Sequence, residues 1–337
     1  MARIFVTGTA GFIGYHLARL LLDEGHTVHG YDGMTDYYDV TLKRRRHAML
    51  AQSPAFTAAE GMLEDAATLD AAVDACAPQV IVHLAGQAGV RYSLEAPRAY
   101  LDANVIGSFN VMEAARRHRV DHLMMASTSS VYGANTEMPF AETQRTVTPL
   151  TIYAASKQAT EAMGHAYAHL HDLPTTLFRF FTVYGPWGRP DMAPIKFVRA
   201  ILAGDPIDVY NHGSMSRDFT YVTDLVRGIR LLVFDAIPRR PADGIVPEGD
   251  SLSPVAPFRV VNIGNGHPER LPDFIAAIEA ALDMTALRHD MPMQPGDVPA
   301  TWADGGLLER LTGYRPQTDM RDGVRQFVAW YRDYYRV

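Results

Sequence analysis

Tyr153 and Lys157 stand four residues apart in Tyr153-Ala-Ala-Ser-Lys157. On a helix that spacing puts both side chains on one face. A free phenol titrates near ~10 and is a poor base at neutral pH. A nearby ammonium and the positive ring of an oxidised nicotinamide favour the phenolate and bring it toward the working range. The pair suits removal of a proton from a carbinol whose carbon gives up a hydride. That chemistry calls for a second hydroxyl to share the proton and orient the substrate. Ser127-Thr128-Ser129-Ser130 supplies it, directly after the apolar run Leu123–Ala126. Alone, Tyr-x-x-x-Lys is a common helix-surface pair; beside this hydroxyl cluster and the turn described next it reads as a catalytic set.

A hydride needs an acceptor. Gly8-Thr9-Ala10-Gly11-Phe12-Ile13-Gly14 follows the apolar run Ile4-Phe5-Val6, which reads as a strand buried on both faces of a parallel sheet. The glycines let the chain turn tightly and bring backbone N–H groups close to a phosphate. The helix that follows, with Ile13, Leu17, Leu20 and Leu21 on one side, points its positive end at that phosphate. Gly25 ends the helix, and Thr27–Tyr31 reads as a second strand ending in Asp32, 18 residues past Gly14. An acid there suits a ribose 2′-hydroxyl and repels a 2′-phosphate, so NAD is expected in preference to NADP. The glycine spacing alone is weak; strand, turn, helix, strand and acid in order make it specific. The basic run Lys43–Arg46 lies well past Asp32 on an expected helix and reads as a solvated face.

The elements that must hold these residues alternate. Further strands are expected at Val80–Leu84, Leu123–Ala126 and Thr175–Phe180, and helices at 66–75, 94–117 and 151–171. This is the βαβ rhythm of a doubly wound α/β fold with a parallel sheet. After residue 185 prolines punctuate shorter elements, with a strand near Val260–Ile263 and a helix near 271–282. The expected organisation is a Rossmann domain over 1–185 and a smaller C-terminal substrate-binding lobe over 186–337, with some chain crossing back. The Pro-rich stretch 238–257 reads as an exposed loop. Ligands of open α/β sheets bind beyond the carboxyl ends of the strands, so the cleft is expected between the lobes.

Composition narrows the function further. The chain has 337 residues and a net charge of −7, which argues against a nucleic-acid surface. It has no long apolar run for a membrane span, and its first strand opens at residue 3, so no targeting segment is expected. Cys76 is the single cysteine and cannot form an internal disulfide, which fits a reducing cytoplasm; between alanines on an expected helix it reads as core filler. His165 and His169 share a helix face, but no glutamate follows His165 and no third ligand is evident, so no metal is expected.

Gly8–Gly14, Ser127–Gly133 and Tyr153–Lys157 resemble the extended short-chain dehydrogenase/reductases. Tyr37-Tyr38-Asp39-Val40, Leu84–Ser93, Phe178–Met192 with its Gly-Pro-Trp-Gly-Arg-Pro-Asp-Met, and Ile207–Tyr221 are similar to one branch, the UDP-glucuronate 4-epimerases. The resemblance runs nearly end to end. It implies C4 epimerisation of UDP-glucuronate to UDP-galacturonate through a transient 4-keto sugar, in a homodimer. Carried over by position, Thr128 takes the catalytic hydroxyl role, Tyr153 is the base and Lys157 its partner. Gly8, Gly11, Phe12, Ile13, Gly14, Asp32, Leu84, Ala85, Tyr153 and Lys157 would hold NAD. Arg217 would meet the diphosphate and Asp297, in Gln294-Pro-Gly-Asp, the nucleotide sugar. Met62 stands where the family carries an acid for the adenine amine, a task left to Glu60 or Glu64.

The substrate's extra charge singles out Arg189, whose planar fork matches a carboxylate. Ser129 and Thr182 are expected beside it, and Arg91 for phosphate or carboxylate. An Arg189–Asp191 surface pair or a lid-anchoring contact is the bland alternative. Three other functions compete. A 4,6-dehydratase needs an acid–base pair after the catalytic threonine, where Ser129-Ser130 stand. A UDP-glucuronate decarboxylase also begins by oxidising C4, so the catalytic trio does not separate it; the Gly-Pro-Trp-Gly-Arg-Pro-Asp-Met segment favours epimerisation. A non-catalytic nucleotide-sugar or NAD-binding protein is expected to lack Tyr153, Lys157 or an intact turn.

Overall fold

The computed structural model describes every residue except Pro295. Seven parallel strands form the main sheet. In chain order its first six are β1 (Arg3–Thr7), β2 (Thr27–Asp32), β3 (Phe56–Glu60), β4 (Val80–His83), β5 (His122–Thr128) and β6 (Thr175–Phe180). The spatial order is β3-β2-β1-β4-β5-β6, followed by the strand Phe258–Ile263 beside β6. Ile4, Phe5 and Val6 are fully buried, as a strand covered on both faces requires. The order reverses between β1 and β4, and that switch point opens a crevice at the carboxyl ends of both strands.

Helices Phe12–Asp23 and Val222–Asp235 cover one face of the sheet. Ala66–Cys76, Gly107–His118 and Ile152–His171 cover the other. The chain does cross back: Phe258–Ile263 pairs in register with β6, Phe258 opposite Thr175. A separate core packs Ala193–Ala203, Leu271–Leu282 and Met320–Tyr335 against the strands Ile207–Tyr210 and Ser216–Tyr221. Asp218, fully buried, anchors that lobe by accepting N–H bonds from Asn265 (2.7 Å), Gly266 (2.9 Å) and Ala303 (3.1 Å). The segment 238–257 contains no helix or strand and is mostly exposed, as expected. His165 and His169 tether it, through Ser253 (2.9 Å) and the Val255 carbonyl (2.9 Å). Cys76, half-buried, ends its helix and packs on the edge of the core.

The helix expected at 94–117 is not continuous. Short turns Tyr92–Glu95 and Pro97–Tyr100 lead into a π-helical turn, Leu101–Ile106, and only then the helix Gly107–His118. Pro97 opens its turn because it has no N–H to give an earlier carbonyl. Within the wide turn Asn104 is buried; its Oδ1 accepts from Gln87 N (2.8 Å) and its Nδ2 donates to Ser156 Oγ (3.0 Å). The irregular stretch thus ties the loop after β4 to the helix that carries Tyr153. Among the described residues no helix is long and apolar enough to cross a membrane.

Candidate active site

The turn between β1 and the helix Phe12–Asp23 is built by close backbone approach. Gly8 has φ +80°, and a Cβ there would lie 2.8 Å from the backbone nitrogen of Ala85. A Cβ on Gly14 would run into the Gly8 carbonyl oxygen. The helix has no side-chain cap, which leaves the N–H groups of its first turn for an anion. Asp32 closes β2 and is fixed facing the turn: its Oδ2 accepts from Ala10 N (3.0 Å) and its Oδ1 from Met34 N (2.9 Å). The N–H groups of Leu84 and Ala85 donate to Thr7 Oγ1 at 3.1 and 3.0 Å, which holds the loop after β4 against the turn.

A cavity of about 510 Å³ runs along this edge. Gly8, Gly11, Phe12, Ile13 and Gly14 line it, with Asp32 beyond and Leu84 and Ala85 on the β4 side. Thr128, Tyr153, Lys157 and Arg189 line the same cavity. A side-chain-free cradle, an uncapped helix and an acid at the end of β2 fit the pyrophosphate and ribose of NAD. Glu64 also lines the cavity and Glu60 does not.

Thr128 ends β5 in extended backbone and caps the 3-10 turn Ser129–Tyr132, its Oγ1 accepting from Ser130 N at 3.2 Å. Thr151 caps the helix Ile152–His171, accepting from Ala154 N at 3.1 Å, and so places Tyr153 in the first turn. Lys157 Nζ donates to the Ala126 carbonyl at 3.0 Å, joining that helix to β5 just ahead of Thr128. Burial pulls Lys157 down to about 8, with the Glu161 carboxylate opposing. Burial raises Tyr153, while the Thr128 hydrogen bond and the charge of Arg189 lower it. The Ala126 carbonyl takes one N–H of Lys157 and leaves its ammonium two more.

The sugar-side residues fall into two places. Arg189 reaches the cavity already paired: Nε and Nη2 donate to Asp191 at 3.1 and 2.5 Å, and Tyr37 OH donates to Asp191 at 3.2 Å. Ser129 and Thr182 are half-buried but are not in the cavity wall. Arg91, Arg217 and Asp297 also lie outside it and cluster at the seam between the lobes. Arg91 donates to Asp297 at 3.2 Å and stacks on the Tyr210 ring, 4.2 Å from its centroid. Arg217 donates to the carbonyls of Ser216 (2.9 Å) and Pro299 (3.2 Å); burial lowers its pKa, with Asp297 opposing and Arg91 adding to the fall. Two cations against one carboxylate leave this seam positive.

Other residues of the site escaped the sequence reading. Lys43 lines the cavity and donates to Thr35 O at 2.6 Å, and Arg46 is fully buried, so the solvated face expected at Lys43–Arg46 is wrong for both. The available signal was the stripe Leu42, Arg46, Leu50 at i, i+4, i+8, which puts Arg46 on the buried face of its helix. Tyr37 and Asp102 line the cavity as well. Among the described residues no group of three or more His, Cys, Asp or Glu is placed to hold a metal ion.

A doubly wound sheet with a glycine turn, an acid after β2 and a Thr–Tyr–Lys set on one cavity defines a nicotinamide-dinucleotide enzyme of the short-chain type. A model of the NAD dependent epimerase/dehydratase family matches residues 4–239. The chain belongs to that family. It is 56% identical to a probable UDP-glucuronate 4-epimerase of Rhizobium meliloti (strain 1021), over 99% of this chain and 98% of that one. It is 41% identical to UDP-glucuronate 4-epimerase 2 of Arabidopsis thaliana, over 99% of this chain and 76% of the relative. Among solved structures, the UDP-glucuronic acid 4-epimerase of Bacillus cereus, in complex with UDP-glucuronic acid and NAD, superposes with a TM-score of 0.87. Its sequence is 28% identical, and the match covers 98% of this chain and 99% of that one.

Proposed function

We propose that the protein is a UDP-glucuronate 4-epimerase that interconverts UDP-glucuronate and UDP-galacturonate, with Tyr153 as the base. The observation that carries this reading is the convergence of Thr128, Tyr153, Lys157 and Arg189 on the cavity that holds the dinucleotide turn. The relatives named for this activity, matched nearly end to end, support it. NAD, held by Gly8, Gly11, Gly14 and Asp32, would supply an acceptor for the C4 hydride and a donor for its return. Tyr153 removes the C4 hydroxyl proton and later returns it, and Thr128 shares that proton. Lys157 stays tied to the Ala126 carbonyl and orders the nicotinamide end of the site. The 4-keto sugar turns over within the cavity before the proton comes back.

Arg189 meets the C6 carboxylate, with Asp191 holding the guanidinium in one orientation; Ser129 and Thr182, outside the cavity wall, take no part in this clamp. Arg217 and Arg91 take the diphosphate at the positive seam, and Asp297 faces the nucleotide sugar. In this reading residues 1–185 supply the cofactor wall and 186–337 the lobe that closes over the sugar nucleotide. A second copy of the chain covers the helices Gly107–His118 and Ile152–His171, supported by Phe109, 41% exposed, and Leu170, 71% exposed. The single cysteine supports a cytoplasmic setting. Incubation with UDP-glucuronate and no added NAD, followed by separation of the products, tests the reaction. UDP-galacturonate is the expected product. UDP-xylose as the main product points instead to a decarboxylase, and no turnover to a binding protein.

A further inference from the structure

Arg46 is a buried cation that the catalytic chemistry does not use. Its side chain is fully enclosed, and it bonds to three segments. Nη1 donates to the Ala10 carbonyl (2.8 Å) and to Tyr38 OH (2.9 Å). Nη2 donates to the carbonyls of Trp187 (2.5 Å) and Gly188 (3.0 Å). Ala10 belongs to the dinucleotide turn, and Gly188 immediately precedes Arg189. One guanidinium therefore joins the cofactor cradle to the arm that carries the substrate-facing cation.

The arm needs such a bracket. Trp187 sits at φ +61°, in the left-handed region that residues with a Cβ rarely adopt. Its ring packs against Tyr15, Trp330 and Tyr334. A backbone of this kind persists only where its surroundings over-determine it. Arg46 contributes by capturing two successive carbonyls, at 187 and 188. The neighbouring tyrosines divide the work: Tyr38 OH accepts from Arg46, and Tyr37 OH donates to the Asp191 that grips Arg189. A bracket used for packing alone has no need to tie the dinucleotide turn to this arm.

We propose that Arg46 is a positioning residue for substrate specificity, which registers Arg189 against the cofactor turn so that a sugar carboxylate is met at a fixed place relative to Tyr153. The inference rests on the reading that Arg189 meets that carboxylate. Lysine at 46 keeps the charge but cannot fork toward two segments at once.

The test uses purified Arg46→Lys holoenzyme. Bound NAD is quantified after denaturation, UDP and UDP-glucuronate are titrated separately, and products are partitioned by mass spectrometry. NAD content and UDP affinity stay within about twofold, while UDP-glucuronate affinity falls about tenfold, the scale of one charge-assisted hydrogen bond. The share of UDP-4-keto-pentose rises, because a loosely held β-keto acid reaches the alignment for loss of CO₂. Equal losses for both ligands, loss of NAD, or an unchanged preference for UDP-glucuronate overturns the proposal. If Arg46→Lys does not fold, Tyr38→Phe carries the test. It removes one partner of the fork and lowers UDP-glucuronate affinity alone by about two- to threefold; an unchanged ratio of the two affinities overturns the proposal there too. A wild type that binds UDP-glucuronate no tighter than UDP sinks the carboxylate reading itself, whereas a variant that keeps the wild-type preference sinks only the role of Arg46.

Discussion

The two sides of the cleft are built differently. On the cofactor side the working groups are largely backbone: the glycine turn, the uncapped helix and the loop after β4 meet within a few ångströms because side chains are missing there. On the proposed sugar side the groups are long charged side chains, two held by carboxylates and one by backbone carbonyls. Asp191 grips Arg189, Asp297 grips Arg91, and the carbonyls of Ser216 and Pro299 hold Arg217. A dinucleotide shared by a whole family is met by shape and helix polarity. In the proposed reading, a substrate that differs from its relatives by one carboxylate is met by pre-oriented charge. The cofactor side should therefore tolerate charge changes poorly at few points, and the sugar side should yield graded losses.

Removing the phenol is the harshest test of that contrast. Tyr153→Phe lowers kcat by about 10²–10⁴-fold while UDP-glucuronate affinity changes only a few-fold, as loss of general acid–base help implies. Thr128→Val costs less, because the threonine shares the proton without holding it. A Tyr153→Phe enzyme with normal kcat removes this residue from the mechanism. The next effect is on stability. Glu161, nearly buried, accepts from Ser127 Oγ (2.5 Å) and takes the Arg179 fork at 2.9 and 2.7 Å. Glu161→Gln leaves a buried arginine unpaired and destabilises by about 3–5 kcal/mol in urea melts. A melt within experimental error of wild type contradicts that assignment.

Arg189→Ala separates the two sides most cleanly. It weakens UDP-glucuronate binding by about 1.5–3 kcal/mol and UDP binding little, read by parallel titrations. Equal losses assign Arg189 to the fold. Acid gives the smallest effect per residue. Burial holds His16 and His122 down at about 4 and His83 at about 3, so all three stay neutral in the folded chain at pH values where the unfolded chain binds protons. Their contribution is full above ~6.5 and is lost as pH falls below it, by up to about 1.4 kcal/mol per pH unit for each histidine. The urea midpoint should fall between pH 7 and pH 5.5; a flat or rising midpoint contradicts the neutral assignments.

The sequence carried these regions unequally, for physical reasons. The strand–turn–helix opening, Asp32 and the Tyr153–Lys157 pair were legible because each depends on neighbours within one or two elements. The helix expected at 94–117 failed because apolar periodicity does not register a π turn. The run Lys43–Arg46 misled because four charges in a row outweigh the single stripe that marks Arg46 as buried. The sugar side was the least legible: Arg91 and Asp297 are 206 residues apart in the chain, and nothing local announces their contact. Nor does spacing on a helix reveal the Ala126 carbonyl that accepts a hydrogen bond from Lys157.

The central claim is that C4 loses and regains the same hydride within one cavity. UDP-glucuronate carrying deuterium at C4 tests it directly, with the enzyme as purified, in ordinary water and without added NAD. The account predicts UDP-galacturonate that retains the deuterium at C4, with no accumulation of reduced cofactor. Product that has lost the label to solvent, or turnover that stops after one equivalent and requires fresh NAD, contradicts it.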